Sequence, residues 1–224
     1  MKLFTPSIEL PPPRLIPWVM RDVTTAVTKM RILDDGRLQL RVRHEVLCGV
    51  TPKMLVWWFS NIDGEMEIDG RSWPRYQIWH PIDHISVKFI RRRQDGTIGP
   101  GAQMHIREVL GGKLDYLIDM VTTIEKLDET GFIHVLHRFG QEVVRLEHTF
   151  TYIDKGTIDE NTATFGPDIP VLRPLFNIFI CPRVFSEDKA RAWFKHNVEE
   201  MGNLEFFLPE LFARRRVESA GFTQ

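Results

Sequence analysis

The sequence holds only two cysteines, Cys48 and Cys181, set far apart in the chain. Two cysteines supply neither a disulfide framework nor a paired CxxC zinc knuckle, and a reduced, cytoplasmic setting is the expectation. No run of about 18 apolar residues occurs, so no membrane span is expected. The N-terminus, MKLFTPSIELPPPRLIPWVM, carries prolines where a signal peptide needs an unbroken apolar stretch, and no small-residue cleavage site follows. Excess charge of one sign is missing too: 29 Lys and Arg stand against 30 Asp and Glu, a formal net charge of -1. That balance argues against a nucleic-acid partner, which calls for a basic excess. The segment QDGTIGPG has no P-loop lysine and reads as a hairpin turn. There is no GxSxG elbow and no dinucleotide fingerprint opening a helix. No internal repeat or low-complexity segment is visible.

What is present suits a globular chain. Its 224 residues, 43% of them hydrophobic, allow a sizeable core in one large domain or two small ones. The first 20 residues are proline-rich and read as an extended arm lying on the surface or against a neighbour, within reach of a second subunit in a homodimer. VTTAVTKMRILDDGRLQLRVRHEVL is β-branched around a central DDG and predicts a hairpin, with strands near 24–33 and 38–47. In GVTPKMLVWWFSN, Thr51 suits an N-cap and Pro52 the first helical turn. The short helix that follows is apolar nearly all round and must be buried or line something.

From about residue 75 to 154 the chain reads mostly as antiparallel strands, YQIWH and ISVKFIRRR among them, with Gly- and Asp-rich turns between. Arg91, Arg92 and Arg93 read as a solvated strand end. Residues 156–183 read as irregular, with LFNIFI as a short helix or lid. A long helix closes the fold, with Ser186 as its N-cap, Glu187 and Asp188 near its positive end, and Pro209 ending or kinking it. The order of hairpin, short helix, antiparallel sheet and long C-terminal helix predicts an α+β fold. A curved antiparallel sheet wrapped around that helix would enclose an internal cavity, a natural ligand site.

Several polar residues bear on that cavity. His196 and Glu200 are four apart on the last helix and project from one face with Trp193 and Leu204. Such a pair suits two ligands of one metal, or a solvated His–Glu contact on an outer face. In MHIREVL, alternation places Glu108 with Met104, Ile106 and Leu110 on one inward face, where a lone carboxylate needs a cation. The alternative there is a different face or pairing with a nearby base. YQIWHPIDH puts His80, Asp83 and His84 beside a proline and two large aromatics. His137 alternates with Ile133 and Val135, while His134 falls on the opposite face. His148, Phe150 and Tyr152 share a face. His137 and Tyr152 are thus candidates for proton transfer and for holding a phenolic hydroxyl, against the plainer reading of satisfied core residues. Trp57, Trp58, Trp73, Trp79, Phe150 and Trp193 are core aromatics or flat walls for an aromatic substrate.

Taken together, MLVWWF, YQIWHPIDH, the glutamate of HIREVL and HNVEE on the last helix resemble the 2,4-diacetylphloroglucinol hydrolase family, which includes phloretin hydrolase. The resemblance spans about residues 40–205. It implies a Bet v 1-like, helix-grip fold as one catalytic domain over 21–215, with a short tail over 216–224. It implies a zinc ion held by two histidines and two glutamates: Glu108, His196, Glu200 and one histidine of YQIWHPIDH, with His80 preferred and His84 as the alternative. It further implies hydrolysis of a carbon–carbon bond between an acyl group and a phenolic or 1,3-diketone substrate, a retro-Claisen reaction. His137, Tyr152 and Asp83 fall at catalytic positions, and Tyr76, Asp83, His84, Tyr152 and Trp193 at substrate-binding ones. Asp83 replaces an amide found in some members, and the chain is compressed between Glu108 and His137, which bears on the substrate more than on the metal. The same pocket could serve a cyclase, isomerase or lyase acting on polyketide-like substrates. A third reading is a carrier of apolar ligands, which would need no buried metal set.

Overall fold

The computed structural model describes residues 10–167 and 186–220. Eleven strands and three α-helices are found among them. The first hairpin, β1 (Val27–Ile32) and β2 (Leu38–Arg43), lies inside the expected ranges, and a two-residue strand, β3 (Leu47–Cys48), continues it. Helix α1 (Pro52–Ser60) begins where its sequence requires: the Thr51 hydroxyl accepts from the Met54 backbone N–H at 3.3 Å, and Pro52 opens the first turn. A small hairpin of β4 (Glu65–Ile68) and β5 (Arg71–Pro74) follows.

The main sheet is antiparallel and nine-stranded. Its order is β1, β2, β11 (Gly156–Phe165), β10 (Gln141–Ile153), β9 (Gly131–Arg138), β8 (Leu117–Asp128), β7 (Gln103–Val109) and β6 (His84–Arg91), with β3 also pairing on β11. Register shifts interrupt the pairing of β6 with β7, β8 with β9, and β9 with β10. Such bulges raise local twist and curl a sheet. The curled sheet holds α3 (Glu187–Ala220), whose N-cap is Ser186: its hydroxyl accepts from the Lys189 N–H at 3.2 Å. This is the α+β arrangement that the order of elements predicts, in the Bet v 1-like, helix-grip form that the resemblance implies.

Three expectations are corrected. YQIWH is not a strand: Arg75–Trp79 forms a short helix, α2, and a turn over 80–83 leads into β6. Residues 156–165 are not irregular but form β11, in the middle of the sheet. Its buried positions include Thr157, Asp159 and Asn161, so the alternation that marks a strand runs through polar side chains. Pro209 does not end the last helix, which runs through it to Ala220. The LFNIFI stretch lies outside the described residues.

Helix α3 is enclosed more completely than an amphipathic stripe would require, since every residue from His196 to Leu204 is buried. The sheet covers one side. The arm over residues 10–22 and helices α1 and α2 cover the other. Trp18 stacks on Phe206, and its indole N–H donates to the Asn203 side-chain oxygen at 3.0 Å. Asn203 in turn donates to the Trp79 carbonyl at 2.8 Å. Gly202 lets the arm approach, because a Cβ there would stand 2.5 Å from Arg21 Cδ. Polar and charged residues between His196 and Leu204 are therefore inside the protein whichever way they point. Leu204→Ala, at a fully buried position, is expected to cost about 2–5 kcal/mol in urea unfolding. Ile90→Ala, on the exposed edge of β6, should stay within about 0.5 kcal/mol of the native protein.

Candidate metal centre

Four side chains from three elements meet beside the cavity. His84 opens β6, Glu108 lies on β7, and His196 and Glu200 lie one turn apart on α3. His84 Nε2 is 3.7 Å from Glu108 Oε2 and 3.4 Å from Glu200 Oε2. His196 Nε2 is 3.8 Å and 3.6 Å from the same two oxygens. All four residues are buried.

Each imidazole is already fixed through its other nitrogen. His84 Nδ1 lies 2.6 Å from the Tyr76 carbonyl, an acceptor only, so that nitrogen carries the proton. The ring stacks flat on Tyr76, 3.7 Å between centroids. His84 Nε2 is left buried without a hydrogen-bond partner. His196 Nδ1 donates to Asp83 Oδ2 at 3.0 Å. Both Nε2 atoms thus turn toward the two carboxylates. Tyr76 adds a hydroxyl that donates to Glu108 Oε2 at 2.7 Å.

Asp83 sits where three elements join. Its carboxylate accepts from the backbone N–H groups of Gly111 at 2.9 Å and Gly112 at 3.2 Å as well as from His196. Burial alone would raise its pKa, but His196, His80 and the Gly111 N–H outweigh it and hold the group at about 2. A carboxylate that orients an imidazole in this way is a recurrent companion of metal-binding histidines.

The electrostatics of the cluster call for a cation. Burial raises Glu200 to about 8, helped by Glu108, Asp159 and Asp83 against the pull of His196. Burial opposes the charge on His196 as well, yet Glu200, Glu108 and Asp83 together lift it to about 10. His84, buried and facing two other imidazoles, is pushed well below its ordinary value. Two imidazoles and two carboxylates so arranged match the nitrogen and oxygen donors that zinc accepts. His84, Glu108 and His196 form one of two sets among the described residues able to hold a metal ion; the other is His80, Asp83 and His196. In that second set the nitrogens are engaged in hydrogen bonds: His80 Nδ1 accepts from the Asp83 N–H at 3.1 Å, and His80 Nε2 lies 3.3 Å from Glu199 Oε2. The geometry therefore favours His84 over His80 as the partner of Glu108. Helix α2 and the turn after it send the two rings to different neighbours, where a strand would have given them one face.

A cavity of about 70 Å³ extends from the cluster between the sheet and α3. Its apolar walls include Phe59, Ile62, Val87, Met104 and Trp193. Other parts of the lining are polar. His148 Nδ1 lies 3.1 Å from the fully buried Asp159 carboxylate, and His148 Nε2 is 3.4 Å from Asn161 Nδ2. The Asn161 amide also donates to Asn197, which leaves Asn161 Oδ1 buried and unpartnered, as is the Trp79 indole N–H on the cavity wall. His134 meets the Thr122 hydroxyl at 3.0 Å.

Two expected cavity residues lie elsewhere. His137 is exposed on the outer end of β9. The inward positions of that strand are Phe132 and His134; Ile133 and Val135 mimic an inward face from the other side. Tyr152 is 59% exposed because β10 has run past the cavity by that point, next to its turn into β11. His134, His148 and Asn161 occupy the cavity instead. His148 shares its face with buried Phe150, so the alternation that picked out Tyr152 is the signal that leads to it.

Residues 25–149, more than half of the chain, match the family described as the DAPG hydrolase PhiG domain. The chain belongs to that family. The matched span of this DAPG hydrolase family member contains His84 and Glu108, while His196 and Glu200 lie beyond it on α3. No curated protein matches the chain. Similar solved structures include Ara h 8.0201, at 14% identity over 77% of this chain and 96% of that one, with a TM-score of 0.45. A START superfamily protein from Mycobacterium smegmatis is 12% identical over 75% of this chain and 95% of that one, with a TM-score of 0.48. No helix among the described residues is long and apolar enough to cross a membrane.

Two buried histidines beside the cavity set a pH dependence. Burial lowers His134 to about 3, and it lowers His44 to about 4 against the pull of Asp159. Both stay neutral in the folded protein below pH 6.5, where the unfolded chain takes up protons. Stability contributed by their neutral forms is therefore complete above about pH 6.5 and is lost as pH falls toward 4 and then 3. Urea unfolding at pH 7 and pH 5 should show the native protein losing about 2 kcal/mol more than His134→Asn over that interval.

Proposed function

We propose that this protein is a zinc-dependent hydrolase that cleaves the carbon–carbon bond between an acyl group and a phenolic or 1,3-diketone substrate. The observation that carries this reading is the convergence of His84, Glu108, His196 and Glu200 with both histidine Nδ1 atoms already engaged. These four residues would hold the ion. Zinc, when bound there, supplies Lewis acidity toward a carbonyl oxygen and toward water.

The chain's own residues account for the rest. Water adds to the acyl carbonyl carbon, and the bond from that carbon to the ring or diketone carbon breaks. The electron pair stays on the ring carbon, which must take a proton, and the acyl group leaves as a carboxylic acid. His148 is suited to relay that proton: its Nδ1–H is held by Asp159, and its bare Nε2, where the Asn161 amide donates, can take the proton that the attacking water loses and pass it to the ring carbon. Asn161 Oδ1 and the Trp79 N–H offer a free acceptor and a free donor for substrate hydroxyl and carbonyl groups. Tyr76 and Asp83 position Glu108, His84 and His196. Trp193 and Phe59 are flat walls for an aromatic ring.

The purified protein should carry one zinc per chain by elemental analysis, and His84→Ala and Glu200→Ala should lose it. Incubated with acylphloroglucinols and 1,3-diketones, the zinc-loaded protein should release a carboxylic acid detectable by mass spectrometry. His148→Gln should keep its zinc and lose about 10²–10⁴ in kcat. Zinc-loaded protein that releases no acid from any acylated phenol or diketone would point to a cyclase, isomerase or lyase. Metal-free protein that still binds aromatic ligands would point to a carrier.

A further inference from the structure

Behind Asp83 lies a second buried layer that does not line the cavity. His80 stacks on His196, 4.6 Å between ring centroids and 19° between planes. Its Nδ1 accepts from the Asp83 backbone N–H at 3.1 Å, so its proton sits on Nε2. That Nε2 faces Glu199 Oε2 at 3.3 Å, and the other Glu199 oxygen pairs with Lys195 at the protein surface. Both His80 and Glu199 are buried, at 1% and 7% exposure. A buried glutamate one residue away from Glu200 on α3 thus serves a different histidine from its neighbour.

We propose that Glu199 and His80 are positioning residues for the metal centre, acting through Asp83 and His196. The reading rests on the metal centre proposed above. Glu199 fixes the tautomer of His80, because its carboxylate can only accept and so keeps the proton on Nε2. The bare Nδ1 then holds the Asp83 N–H, which sets the turn over 80–83. That turn aims the Asp83 carboxylate at His196 Nδ1, and the His80 ring packs flat against the His196 imidazole. Without the Glu199 acceptor, the His80 Nε2–H is buried and unpaired, and the ring gains by flipping. A flipped ring takes its acceptor away from Asp83, and the imidazole of His196 loses its fixed direction. Partners of metal-binding histidines are worth about 10–100-fold in metal affinity.

The test is zinc affinity by competition with a chromogenic chelator, together with the visible spectrum of the cobalt-substituted protein. Neither depends on turnover. Glu199→Ala is expected to weaken zinc binding about 10–100-fold and to alter the cobalt bands. Glu199→Gln, whose amide oxygen can still accept from His80, should restore most of the affinity and the native spectrum. Lys195→Met, which removes an exposed partner only, should change affinity less than twofold. Should Glu199→Ala not fold, His80→Phe keeps the stacked ring while removing both of its hydrogen bonds and should show the same loss. Folded Glu199→Ala or His80→Phe protein with native affinity and an unchanged spectrum would overturn the proposal. So would two zinc ions per chain with one lost in His80→Gln, which would make His80 a ligand. If the unaltered protein binds no zinc at all, the metal centre itself falls and this inference with it.

Discussion

Burying two carboxylates within four ångströms of two imidazoles is the constraint on which this fold turns. A lone ionised carboxylate in an apolar interior is costly, and two of them repel. The cluster resolves this by attracting positive charge, which is why His196 rises to about 10 although burial opposes it. A divalent ion meets the same need with more charge in less volume. Everything that directs the four side chains inward can then be read as holding polar groups against their preference for water. The enclosure of α3 from His196 to Leu204 follows from this, since a helix face open to solvent would let Glu200 escape. The arm across residues 10–22 is part of that enclosure: Trp18 and Arg21 occupy the side of α3 that the sheet leaves open.

The cavity lining carries two sets of polar side chains. Glu108, His196 and Glu200 form one, with His84 beside them. His148, Asn161 and Asn197 form the other, hydrogen-bonded among themselves and to Asp159, with an acceptor to spare. Apolar side chains complete the wall. An apolar ligand would leave Asn161 Oδ1 and the Trp79 N–H unpaired.

Much of this was legible in the residues, for identifiable reasons. Thr51 with Pro52, and Ser186 ahead of an acidic turn, mark helix starts by local chemistry alone, and both helices begin there. The spacing of His196 and Glu200 and the apolar neighbours of Glu108 singled out three of the four convergent side chains, each beside a plainer alternative. What escaped depends on tertiary context. Strand β11 turns Thr157, Asp159 and Asn161 inward, where Thr157 donates to the Val50 carbonyl and Asp159 and Asn161 meet His148, and a polar inward face erases the pattern by which a buried strand is recognised. β9 buries Val135 as well as His134, so burial alone does not fix its phase. Tyr152 obeys the right alternation but lies beyond the end of the cavity. The choice between His80 and His84 could not come from spacing, because a one-turn helix and the turn after it set the directions of both rings.

That turn explains why one short stretch carries so much of the site. Arg14 clamps it from outside, with its backbone N–H 3.1 Å and its guanidinium 3.4 Å from the Pro81 carbonyl. From inside, the Asp83 carbonyl accepts from the Val109 N–H at 2.9 Å, next to Glu108. The Asp83 carboxylate meanwhile caps the loop at Gly111 and Gly112 and holds His196. One residue thereby ties the end of β7, the start of β6 and the middle of α3 into a single arrangement. A shift of any one element would have to break a buried, charge-assisted hydrogen bond, and such bonds resist displacement more than neutral ones. The four side chains come from distant parts of the chain, but their relative positions are fixed through Asp83. The turn that carries it therefore determines the shape of the cluster as much as its four side chains do.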